Sequence, residues 1–64
     1  MYDCKLYKED TEETVIFTVL ANHPDMVVVD RFSQTLGAIG GTATQHEEAD
    51  MLKQQYLAEG FKEI

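Results

Sequence analysis

The sequence predicts an α+β domain: a small, meander-like antiparallel sheet of three to five strands, with one α-helix at about residues 45–59 packed on one face. Three observations carry that expectation. Residues 14–21 and 26–32 are rich in β-branched and aromatic side chains at alternating positions. A turn-forming Asn22-His23-Pro24-Asp25 separates them. Ala49, Leu52 and Tyr56 then recur at helical spacing ahead of Gly60, which describes one buried helix stripe with a glycine stop.

In chain order, Tyr2 to Tyr7 alternates, with Tyr2, Cys4 and Leu6 on one face and Asp3 and Lys5 on the other. That is the period of a half-buried strand, and polar Lys8 to Glu13 is its turn. Over 14–21, Val15, Phe17, Val19 and Ala21 form one apolar face, while Ile16 and Leu20 interrupt Thr14 and Thr18 on the other. Both faces are expected to be partly covered, so this strand belongs in the middle of the sheet. Pro24 has no amide to donate to a ladder and biases His23 toward an extended conformation. The chain therefore turns there and returns over Met26 to Phe32, giving a hairpin over 14–32.

Residues 33–43 combine apolar Leu36, Ala38 and Ile39 with Gly37, Gly40 and Gly41. A twisted or bulged fourth strand and a loop crossing the sheet edge both fit. Thr44 followed three residues later by Glu47 matches a capping box, and acids at 47, 48 and 50 complement the positive end of the helix dipole. Gly60 is expected at the left-handed position after the helix, with Phe61 folding back on Tyr56. Leu57 falls at the margin of the buried stripe, whereas Met51 and Ala58 point away from it. Phe61 to Ile64 suffices for a short last strand at a sheet edge.

Residues 1–64 read as one domain, and with a single cysteine it has neither a disulfide nor a cysteine-rich zinc site to reinforce it. At 44% hydrophobic the composition supports a core despite a net charge of −7. The longest apolar run, Met26-Val27-Val28-Val29, is far below the ~18 residues of a membrane span. The expected setting is soluble, reducing and cytoplasmic, with no membrane partner.

The charge is concentrated. Residues 1–13, 14–46 and 47–64 carry −3, −1 and −3. Most of the excess sits in two clusters, Glu9, Asp10, Glu12 and Glu13, and Glu47, Glu48 and Asp50, which flank a nearly neutral middle. Direct nucleic-acid binding needs clustered Lys and Arg to neutralise phosphates, and five dispersed basic residues do not supply it.

No catalytic, cofactor-binding or metal-ligating residue is assigned. The Gly37-to-Thr42 segment precedes a helix, but it has neither dinucleotide nor P-loop spacing, and the acids of the first helical turns would repel a phosphate. Its glycines are read as serving backbone geometry. Cys4, His23 and His46 are too far apart in sequence to make a local zinc motif; Cys4 is expected to be a buried thiol and His23 a turn residue. Glu12 with Glu13, or Glu47 with Glu48, would need one desolvated member to divide acid and base roles, and a loop tip and a first helical turn are solvated. The sequence thus favours a non-catalytic protein-interaction module with a basic protein partner. Glu9, Asp10, Glu12, Glu13, Glu47, Glu48, Asp50 and Met51 are its candidate contact residues. Long-range attraction would speed such docking and weaken with salt. Carboxylates would stand in for nucleic-acid phosphates, as in small acidic inhibitors that phages and mobile elements direct at nucleic-acid-handling machinery. The alternative is a structural or assembly subunit, with homo-oligomerisation open.

Overall fold

A computed structural model describes residues 4–64. Five strands and one helix follow in the order β1 (Cys4–Lys8), β2 (Glu13–Val19), β3 (Met26–Ser33), β4 (Gly37–Gln45), α1 (His46–Glu59) and β5 (Lys62–Glu63). The sheet is antiparallel throughout, in the order β4-β3-β2-β1-β5. It is therefore an α+β fold, a four-strand meander closed at one edge by a short returning strand. Tyr2 and Asp3, assigned above to the first strand, lie outside the described residues.

Strand alternation decides which side chains meet the helix. Leu6, Val15, Phe17, Val27 and Val29 are buried on one face together with Ala49 and Phe61, and Cys4, Val19, Leu52 and Tyr56 pack around them. Cys4 is thus half-buried rather than fully enclosed, because its strand stands next to the edge. β2 is the middle strand, as its two-sided pattern suggested. Ile16 on its second face is half-buried, although the helix covers only the opposite face. Its cross-strand neighbours are Lys5 and Asp30.

Residues 37–45 resolve the ambiguity of the glycine-containing segment: they form a strand, with a bulge opposite Arg31 and Phe32. Gly41 pairs with Asp30, and a Cβ at Gly41 would collide with the Asp30 carboxylate, so the close approach depends on glycine. The capping box does not form. Thr44 is the last buried residue of β4, paired with Val27, and the strand runs into α1 without a turn. Gln45 becomes the N-cap and makes no side-chain cap bond. Thr44 lies one position too early to cap, and its hydroxyl donates to the Glu48 carboxylate instead.

The helix ends as its sequence indicates. Gly60 adopts φ 112°, its amide donates to the Leu57 carbonyl, and the Phe61 amide donates to Tyr56. These bonds form a Schellman closure. It places the Phe61 ring 5.1 Å from Tyr56, and Tyr56 in turn meets Phe17 edge-on at 6.4 Å. No described helix is long and apolar enough to cross a membrane.

Candidate functional site

The first acidic cluster is the β1–β2 turn. Glu12 takes φ 53° at its tip, the Glu12 amide donates to Glu9, and the Gln34 amide donates to the Glu12 carbonyl. The first bond closes the turn on itself, and the second ties it to the neighbouring β3–β4 turn. Glu9, Asp10 and Glu12 are exposed, and their side chains make no ion pair among the described residues. Glu13 behaves differently. Its carboxylate accepts from Thr11 Oγ1 at 2.7 Å and from Arg31 Nη2 at 2.8 Å. The Thr11 hydroxyl above all holds its pKa below the usual carboxylate range; burial opposes this, and the Arg31 guanidinium adds to the lowering. Arg31 also lies over the Tyr56 ring, 5.7 Å from its centroid. Glu13 therefore serves the fold, and three carboxylates of the cluster remain directed outward.

The second cluster is the start of α1. Glu47 and Asp50 are exposed, while Glu48 is engaged by Thr44. The His46 ring contacts the Pro24 carbonyl through Nε2 at 2.7 Å, an arrangement in which that nitrogen donates. This bond fastens the helix start to the β2–β3 turn. Met51 is 63% exposed, as its place off the buried stripe implies. Lys53 is paired with Glu63 at 3.1 Å; that hydrogen bond raises its pKa, with Asp50 adding a lesser electrostatic contribution.

Strand register shows that the two clusters do not converge. Glu13 pairs with Ser33 at one end of β3, whereas Gln45, the residue before the helix, pairs with Met26 at the other. Seven residue steps along β3 amount to about 23 Å. That is nearly three times the Debye length of about 8 Å at physiological salt, so the clusters act as separate patches. Helix direction accounts for the separation: α1 starts beside the β2–β3 turn and ends beside the β1–β2 turn, where Gly60, Lys8 and Lys62 border a cleft of ≈ 320 Å³ with Glu9 and Asp10. The hairpin tip thus has cations at its flank, and the helix start contributes none of its acids to it.

The other sequence candidates are dispersed too. Cys4 lies in β1, His23 in the β2–β3 turn and His46 on the helix, and no group of three potential ligands is assembled among the described residues. Gly37 to Thr42 lie inside β4 and the helix begins beyond them at His46, so these glycines do not wrap the helix N-terminus. Two surfaces were not legible as candidates from composition. One is the uncovered sheet face, where Phe32 is 38% exposed; the other is the outer edge of β4.

The fold and its surfaces define a small acidic α+β domain. No protein-family model, no curated protein and no solved structure matches this chain.

Proposed function

We propose that this chain is a non-catalytic protein-interaction module that docks on a basic protein partner. The observation that supports the reading is the hairpin tip, where Glu9, Asp10 and Glu12 face solvent on a turn anchored by the Gln34–Glu12 backbone bond. Carboxylates held on a fixed turn lose little freedom when they meet Lys or Arg, and they attract a basic surface from a distance. Such a surface in a nucleic-acid-handling protein is shaped to receive phosphates, and inhibition by charge mimicry is the form of docking this reading proposes. Glu47 and Asp50 form a second patch about 20 Å or more away. A partner must be wide to engage both, so the tip is the primary contact and Met51 a peripheral one.

The test uses the immobilised chain and a heparin-purified protein fraction at about 50 mM and 500 mM salt, with duplex DNA as competitor. A partner retained at low salt, displaced by DNA and lost with Glu9→Gln, Asp10→Asn and Glu12→Gln combined is the expected result. Retention that ignores salt and DNA, or that survives the triple substitution unchanged, refutes it.

A further inference from the structure

The two edges of the sheet are unlike. β5 closes one side with only Lys62 and Glu63, both charged, and short charged edges resist further pairing. β4 closes the other with nine residues, eight of them exposed. From Phe32 to Gln45 the sequence has no charged side chain and no proline, so the devices that block edge-to-edge contact are missing, apart from the bulge near Ile39. The helix does not shield this edge along its length. It leaves β4 at Gln45 and finishes across the sheet, where Lys8 Nζ is 5.9 Å from the Phe61 ring centroid.

Hydrogen-bond parity shows which backbone groups the edge offers. The Leu20 amide donates to Met26 and the Gln34 amide to Glu12, in the β2–β3 register, so even-numbered residues of β3 bond toward β2. Bonding direction alternates along a strand. Val27, Val29 and Arg31 therefore bond toward their partners Thr44, Thr42 and Gly40, and the amides of Gly41, Ala43 and Gln45 point outward.

We infer that the β4 edge pairs with β4 of a second copy of this chain, antiparallel about a two-fold axis at Ala43, joining two sheets into one. Like-facing residues must oppose each other in such a pair. A centre at Ala43 satisfies this by placing Gly41 opposite Gln45 of the second copy, within the regular stretch on the helix side of the bulge. Charge selects the antiparallel self-pair. Each chain carries −7, yet the contact strip is neutral, and the two-fold sends the acidic helix starts to opposite ends. Three residue steps on either side of the axis separate the two His46 positions by about 20 Å, beyond the reach of strong repulsion in salt. Residual repulsion between the two chains is screened as salt rises, so the dimer tightens with salt. That is the opposite of the response of a basic partner, and this inference does not depend on the proposed docking function.

Sedimentation of the whole chain from about 10 μM to 1 mM, at low and high salt, tests the pairing. The expected result is a monomer–dimer equilibrium that is stronger at high salt. Ala43→Pro removes an outward amide without breaking the β3–β4 ladder, and should weaken dimerisation at least tenfold while the far-UV circular dichroism is kept. Ala43→Glu, a change to an exposed side chain, sets two carboxylates across the axis and should abolish the dimer even where the proline variant fails to fold. A monomer at 1 mM in high salt, or a dimer indifferent to Ala43→Glu, overturns the inference. Loss of the DNA-competed partner in the capture assay bears on the hairpin tip and leaves this result intact.

Discussion

Replacing Tyr56 by Leu should show how far one aromatic side chain holds the helix to the sheet. The ring lies between Phe17 and Phe61, at 6.4 Å and 5.1 Å with interplanar angles of 71° and 65°, and Arg31 sits over it at 5.7 Å. Each edge-to-face pair is worth about 0.5–1.5 kcal/mol beyond its buried area, and a half-exposed cation–π contact about 0.5–1 kcal/mol. Leu preserves much of the apolar contact but none of these terms, so the expected cost is about 2–3 kcal/mol. An unfolding entropy of about 2.1 cal/mol/K per residue gives a 64-residue chain about 0.13 kcal/mol/K. Tm should therefore fall by roughly 15–23 °C. Urea titration followed by circular dichroism gives the free energy directly. Tyr56→Phe, which keeps both ring contacts, should cost less than about 0.5 kcal/mol. A double-mutant cycle with Phe61→Leu should return a coupling of about 0.5–1.5 kcal/mol. A Tyr56→Leu cost below about 0.5 kcal/mol, or a coupling of zero, would refute the view that these ring contacts clamp the helix.

Glu13→Gln should cost about 0.5–1 kcal/mol at pH 7, since the pair with Arg31 is partly screened by solvent. The Glu13 carboxyl is held below its ordinary value of 4.5 in the fold, so its contribution is complete above that pH and fades as pH drops through the folded pKa. Denaturation curves should show the wild-type advantage shrinking as pH falls below 4.5; an advantage independent of pH would exclude this linkage. Gly60→Ala should destabilise by about 1–2 kcal/mol through its φ of 112°. A Cβ there would meet only Lys8 Cε, at 3.6 Å. The loss is therefore conformational, and a thermal melt unchanged by the substitution would contradict it.

Most of the fold could be read from local patterns, and the exceptions have local causes. Alternation placed Val15 and Phe17 together on a core face because a strand's side-chain period is independent of what packs on it. Gly60 announced the helix end because few residues tolerate its backbone conformation. Thr44 and Glu47 matched a cap, but the same threonine is also the last inward residue of β4, and burial on the strand took precedence over capping. Residues 37–45 stayed ambiguous for a related reason: three glycines weaken strand propensity, and only pairing with β3 makes the segment regular. The candidate site was less legible. Glu9 to Glu13 and Glu47 to Asp50 are each visible as clusters, but their separation follows from strand order and helix direction, which short sequence windows do not encode. That Glu13 would turn inward to Arg31 depends on register, as does the outward aim of the Ala43 amide.

The pairing of Leu6 with Glu63, sealed by the Ile64 amide donating to Lys5 at 2.9 Å, joins residues from opposite ends of the described chain. Every other strand pair in the sheet is a hairpin between neighbours in sequence. Closing a loop that long has an entropic cost larger than that of any hairpin here, and only two residue pairs offset it. The expected order of assembly is therefore the meander and the helix docked on it first, with β5 joining when its docking site already exists. In reverse, β5 should be the first part of the sheet to open, which faster amide exchange at Ile64 than in β2 and β3 would show. The Lys53–Glu63 ion pair ties that last strand to the helix and so acts as a latch on the sheet's most weakly held edge.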